Sequence, residues 1–424
     1  MPTMKRLIPL CFVLSAGCAS HPPAIRLREA QARNSQAAPS TPAAAAASEP
    51  TGAQGLSPRQ ALTREVKEPL TRTRVESQEA AFRGEVLAVS EPTVETQSNG
   101  VSLLTLPMGS HVPISCFLYP NPIDAGAAAR LLIESLLEKV KLESVRATDV
   151  KAYAGSPALY LDADYSHQGK VGRLKVMVHA DPVLAKACVH DALGYSQTFQ
   201  RVTESVATGV LSTAQEQPVP PYYSEVQVAR VGEQVIGFQT FALFKAQEGG
   251  ILFEENSTLV SPGAPPQVRY QDTSRQEHSN ETGAVVSKSY SKRLGDAPAE
   301  QARVRREQDG SYVLEGQLDG KDVHTRMGGE LLSVVGFAQR VREGLLKNGT
   351  PVEAAMWIPA NQPSSPTPVV MKPRTGAGPR SATMEMGSLS THVELDDHGF
   401  IERQELPAGK TSLVIERISR TGTP

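Results

Sequence analysis

Short apolar-rich runs from Val101 to Leu106 and again from Val112 to Tyr119 predict two strands around a turn at Met108-Gly109. Pro120 and Pro122 end the second strand. The pattern then changes period. Ala129, Leu132, Ile133, Leu136, Leu137 and Val140 fall on one helical stripe, with Asp124 as N-cap. Ala158–Tyr165 and Lys170–His179 read as an antiparallel pair. With Tyr165 opposite Lys170, Leu161 meets Leu174, Leu159 meets Val176 and Asp162 meets Arg173. A second helix carries Phe199, Val202, Val206 and Val210 on one face.

Beyond the proline-rich stretch Gln215–Pro221, strand patterns dominate. They cover Glu225–Val231, Val235–Phe244, Ile251–Val260, Ala284–Tyr290, Ala302–Glu307, Tyr312–Leu318 and Val323–Met327, with hairpin turns at Asp309-Gly310 and Asp319-Gly320. One helix, Leu331–Leu346, interrupts them. Ala354–Ile358, Ala382–Met386, Ser390–Leu395, Phe400–Glu405 and Ser412–Arg417 follow, with a turn at His398-Gly399. Pro359–Pro379, rich in Pro, Gly and Ser, reads as a loop.

The expected fold is therefore α+β: an antiparallel sheet with two packing helices, followed by a mostly-β curved-sheet or half-barrel domain with one helix. The expected division is residues 1–17 as signal peptide and 18–78 as a lipidated cysteine with a disordered tether. An α+β domain over 79–213, a linker over 214–221 and a β-rich domain over 222–420 complete it. In element order, and in Leu106-Pro107-Met108-Gly109 leading into a strand, the first domain resembles the PsbP/DcrB-like family, which implies no common enzymatic activity. The second resembles LolA/LolB-type half-barrels in architecture, which implies an apolar ligand in a concave face plugged by a helix.

The amino terminus supplies an address. Lys5-Arg6, the apolar run Leu7–Leu14 and the small residues Ser15-Ala16-Gly17 have the order of a secretory signal, too short to span a bilayer. Leu14-Ser15-Ala16-Gly17-Cys18 resembles the lipobox of bacterial lipoproteins. That resemblance implies cleavage before Cys18 and acylation of its thiol, palmitate included. Two or more acyl chains hold a protein stably on a membrane. In that family an Asp after the cysteine often marks inner-membrane retention. Ala19 therefore points to the outer membrane of the cell envelope, on its periplasmic side. Residues 19–78, with the alanine run Ala43–Ala47, bury too little apolar surface to order themselves, apart from a short helix over Gln60–Val66.

Composition narrows the partners. The 424-residue chain is 40% hydrophobic and carries a net charge of −2, which provides no bulk attraction to nucleic acid. Of its four cysteines, Cys11 leaves with the signal and Cys18 takes lipid. Cys116 and Cys188 remain, in a compartment where disulfides persist, and are expected to pair; two separate buried thiols are the alternative.

Catalytic signatures are missing. The chain holds no nucleophile elbow, no metalloprotease motif, no phosphate loop and no dinucleotide fingerprint. Cys188, His190 and Asp191 contain nucleophile chemistry, but chain neighbours rarely converge on one point. Asp396, Asp397 and His398 suit a hairpin tip better than a metal. Arg303 and Arg305 share a strand face that suits solvent before a phosphate. Trp357, the single tryptophan, reads as core first and as a ligand-pocket wall second. The expectation is no catalytic residue, no metal and no cofactor. It is a noncatalytic envelope lipoprotein that binds a protein partner or an apolar or lipid ligand. An assembly lipoprotein of an envelope machine and an enzyme with an unfamiliar site are the alternatives.

Overall fold

The computed structural model describes residues 58–424 other than 99, 120–125, 127, 129–140, 168, 216–217, 247–248, 262–268, 295–298 and 409–410. The expected signal peptide, Cys18, the alanine run and the helix through Ala129–Val140 with its Asp124 cap therefore lie outside the described residues. Two compact units meet in sequence between Val219 and Pro220.

In the first unit a three-stranded sheet has the order β1-β2-β10, from Thr71–Ser77, Phe82–Ala88 and Val210–Ser212. A seven-stranded antiparallel sheet has the order β3-β4-β5-β9-β8-β7-β6. Its strands are Thr93–Thr96 (β3), Ser102–Met108 (β4), His111–Tyr119 (β5), Lys141–Tyr153 (β6), Ser156–His167 (β7), Lys170–Ala180 (β8) and Ala185–Asp191 (β9). A short helix α1, Pro58–Leu62, precedes them, and α2, Ser196–Gly209, follows β9. The α2 stripe Phe199, Val202 and Val206 joins Phe82 and Val86 of β2 and Leu104, Ile114 and Met177 of the larger sheet in one core. Gly209 lets helix and strand touch, because a Cβ there would lie 2.0 Å from the Glu85 carbonyl oxygen.

The α+β expectation is overturned. This unit is mostly β and is built on two sheets; among the described residues, α2 is the only helix that joins their core. The physical reason is visible in β6. Register shifts after Leu142 and Val145 space its buried residues Leu142, Val145 and Val150 irregularly, which matches neither a strand nor a helix period. Strand β1, Thr-Arg-Thr-Arg-Val-Glu-Ser, buries only Val75 fully and so reads as polar chain. Folded structure thus reaches into the stretch expected as tether. Besides β1, the Glu65 carboxylate accepts the backbone N–H groups of Gln197 (2.9 Å) and Thr198 (2.8 Å), which caps α2. The β7–β8 register differs by two residues from expectation: Leu161 opposes Val176 and Ala163 opposes Leu174. A slip of two keeps every side chain on its face, and Arg173 still reaches Asp162 diagonally, at 2.6 and 2.7 Å.

The second unit is one fourteen-stranded antiparallel sheet. Strands β11 (Tyr223–Val231), β12 (Gln234–Lys245), β13 (Ile251–Ser261), β14 (Arg269–Ser279), β15 (Val285–Leu294), β16 (Glu300–Arg306), β17 (Tyr312–Leu318) and β18 (Lys321–Met327) meander outward from the centre. Strands β19 (Val352–Met356), β20 (Thr367–Pro373), β21 (Ser381–Met386), β22 (Leu389–Leu395), β23 (Ile401–Ala408) and β24 (Thr411–Gly422) meander back, and β24 pairs with β11. Between the outermost strands β18 and β19 runs the helix α3, Val334–Val341, continued by a π-helical turn, Arg342–Leu346. The sheet curls so that the segment before α3 bridges its two arms. Val285 N–H donates to the Leu331 carbonyl (2.9 Å), and Leu332 N–H donates to that of Ala355 (2.9 Å).

Two expectations change here. Strand β14 was not expected, because polar residues occupy both its faces. The stretch expected as a loop, Pro359–Pro379, contains β20, whose Val369 and Met371 are buried.

Candidate functional site

Under α3 the second unit forms a cavity of about 90 Å³. Its apolar wall comes from β19 to β21: Met356, Val369, Met371, Met384 and Met386 all point inward because alternate strand residues share a face. Phe241, Phe253 and Phe400 close one side, where Phe241 stacks on Phe400 with ring centroids 5.7 Å apart. Val334, Phe337 and Ala338 of α3 form the lid.

The opposite wall is polar, although it is buried. Gln227 of β11 stands directly across from Gln239 of β12, and both line the cavity with Gln404 of β23. Glu255 of β13 and Arg275 of β14 are its charged lining residues, 3% and 5% exposed, and they pair with each other. The amide nitrogen of Gln227 donates to Glu225 Oε2 (3.1 Å) and to the Ile401 carbonyl (3.3 Å). Gln404 Nε2 is buried and, among the described residues, finds no hydrogen-bond partner.

Behind this wall a chain of buried charges ties the sheet to the lid. Arg275 lies 3.7 Å from Glu277, and Lys288 Nζ is 2.5 Å from Glu277 Oε1. Lys288 also donates to the Trp357 carbonyl at 2.8 Å. Burial pushes the Glu277 carboxyl up, but the positive charges of Lys288 and Arg275 outweigh it and hold the group below its ordinary value. The N-terminus of α3 is doubly capped: Ser333 Oγ accepts from Gly336 N–H (3.0 Å), and Glu277 Oε2 accepts from Val334 N–H (2.8 Å). Backbone contact seats the helix, since a Cβ on Gly283 would lie 2.4 Å from the Gly336 Cα.

A second buried cluster adjoins Gln227. Tyr223 donates to Glu225, Arg417 Nε sits 2.7 Å from Glu225 Oε1, and Arg417 Nη2 sits 2.8 Å from Asp396 Oδ2. Burial raises the Glu225 carboxyl to about 7, against the lowering pull of Arg417.

The structure disperses the residues singled out from sequence. Cys116 and Cys188 form a disulfide between facing positions of β5 and β9. Cys188 is thereby withdrawn from any nucleophile set. His190 Nε2 lies 3.1 Å from the Val112 carbonyl, and Asp191 accepts from Tyr165. Asp396 accepts the backbone N–H groups of His398 (2.9 Å) and Phe400 (3.0 Å) as a turn residue, while Asp397 pairs outward with Arg380 at 2.6 Å. Among the described residues no cluster of three His, Cys, Asp or Glu is arranged to hold a metal ion. Arg303 and Arg305 face solvent, and Arg305 pairs with Glu307. Trp357 is buried against Tyr290 and donates Nε1–H to the Pro363 carbonyl (3.0 Å). None of these lines the cavity. The residues that do were missed, because glutamines scattered over separate strands have no spacing that marks them in sequence. No helix of the described residues is long and apolar enough to cross a membrane, which says nothing of a β-barrel.

No protein-family model matches the chain, and no curated protein matches it. Among solved structures, the chain is similar to a beta-barrel-like protein of the domain of unknown function DUF1849 from Brucella abortus. The identity is 9% and the TM-score 0.38, over 48% of this chain and 99% of that one.

Proposed function

We propose that the chain is a noncatalytic module of the bacterial cell envelope, anchored through lipid on Cys18, whose second unit binds an apolar ligand under α3. The observation that carries this reading is the cavity lining: four methionines and three phenylalanines gathered beneath one helix. Methionine side chains are flexible and polarisable, so such a wall re-packs around a guest. At about 90 Å³ the cavity is smaller than most ligand pockets, which run to roughly 300–1,000 Å³. Binding therefore lifts α3 from the methionine wall. The π-helical turn at its end, Arg342–Leu346, supplies a weak point in the helical hydrogen bonding for that movement. The disulfide agrees with an exported chain.

The test is mass spectrometry of lipid extracted from the soluble Cys18→Ser form purified under native conditions. Stoichiometric co-purifying lipid is expected, and reproducibly lipid-free protein that also binds no apolar probe refutes the reading. For the anchor, wild-type cells incorporate labelled palmitate into this chain and Cys18→Ser cells do not.

A further inference from the structure

The cavity's polar wall narrows the ligand class, on the reading that the cavity takes an apolar guest. We infer that the ligand is an uncharged amphiphile, an acyl chain ending in an ester or amide, whose head-group carbonyl accepts a hydrogen bond from Gln404 Nε2.

Three observations carry this. First, Gln404 is 1% exposed, lines the cavity and keeps an amide nitrogen without a partner among the described residues. A buried donor left open costs about 1–3 kcal/mol, and a guest acceptor removes that cost. Second, the other amide on this wall with assigned partners is already engaged. The Gln227 nitrogen is held by Glu225 and Ile401, and Arg275 Nε, also without a hydrogen bond among the described residues, faces the Glu277 carboxylate at 3.7 Å, so a guest acceptor is drawn to Gln404. Third, the charges on the lining cancel. Glu255 and Arg275 pair with each other, which leaves no surplus positive charge on the lining to receive a carboxylate or phosphate. An anion placed there gives up its water for no counter-charge and is rejected, whereas a neutral carbonyl loses little. The apolar chain lies along Met371, Met384 and Met386 across the cavity.

The experiment uses the full-length Cys18→Ser protein and N-phenyl-1-naphthylamine, whose fluorescence rises in an apolar site. Methyl laurate and sodium laurate then compete for the site at about pH 8, where the carboxylate is fully ionised. Methyl laurate is expected to displace the probe at a concentration at least about 100-fold below laurate. Gln404→Leu and Gln404→Met are expected to weaken methyl laurate about fivefold relative to the probe, the worth of one hydrogen bond. Probe binding with equal displacement by ester and carboxylate overturns the head-group assignment and leaves the apolar site standing. Unchanged ester affinity in both folded variants overturns the role of Gln404. Failure of the probe and both competitors to bind overturns the apolar site itself.

Discussion

Glu277 Oε2 accepts the backbone N–H of Val334 at 2.8 Å, while its other oxygen lies 2.5 Å from Lys288 Nζ. One carboxylate, fully buried on β14, thus caps the lid helix and neutralises a buried lysine. Glu277→Gln keeps the shape and an acceptor but removes the charge, so Lys288 is left without its closest counter-ion. The expected loss is about 3–5 kcal/mol in urea unfolding followed by Trp357 fluorescence, which reports this unit alone. A midpoint equal to wild type overturns the account of how the lid is held.

Glu225 sets a pH dependence of the second unit. Its carboxyl is raised to about 7 when folded, from an ordinary value of 4.5. The folded chain therefore holds a proton that the unfolded chain has released. The stabilisation is complete below 4.5 and is lost as pH rises through about 7, a contribution of about 3 kcal/mol. Glu225→Gln cannot titrate and is expected to flatten that part of the Trp357-monitored stability curve between about pH 5 and 8. Parallel curves for the two proteins would count against the assignment.

His179 and His190 act in the opposite sense in the first unit. Burial is the main cause holding both imidazoles down to about 4. Each is 1% exposed. The unfolded chain takes up protons that the folded chain refuses, so stability is intact above 6.5 and falls as pH drops toward about 4. Each group contributes about 3 kcal/mol to that loss. Hydrogen exchange of residues 173–191, corrected for its intrinsic pH dependence, is expected to show protection falling steeply from about pH 7 to 4.5, and less so in His179→Phe. Protection that is independent of pH in this range contradicts the burial of neutral imidazoles.

The Cys116–Cys188 bridge closes a loop of sequence separation 72 and is wholly buried. Replacing both cysteines by alanine is expected to cost about 4 kcal/mol, because the unfolded chain regains the entropy of that loop. Reductant is expected to leave the folded protein oxidised until the first unit opens. Thiol labelling during a urea titration measures this, and labelling well before unfolding is the contrary result.

How much of this was written in the chain depends on where the side chains point. Strands such as Tyr312–Leu318, turned by Asp309-Gly310 and Asp319-Gly320, announce themselves, because alternation and positive-φ turn residues are local properties. The lid helix is legible for the same reason: its apolar stripe has one period over Leu331–Leu346. Strand β6 was hidden by two bulges, and β14 by polar residues on both faces, since a ladder of glutamate, arginine and lysine buried by pairing looks in sequence like solvated chain.

The amino-acid order alone determined the local elements of the second unit other than β14 and β20, and marked Cys116 and Cys188 as a pair. Only tertiary structure decided that β11 pairs with β24, and that Gln227, Gln239 and Gln404 face one cavity. Periodicity is a property of neighbours along the chain. A binding wall assembled from separate strands depends on which strands pair, and that follows from long-range burial, which no single window of sequence records.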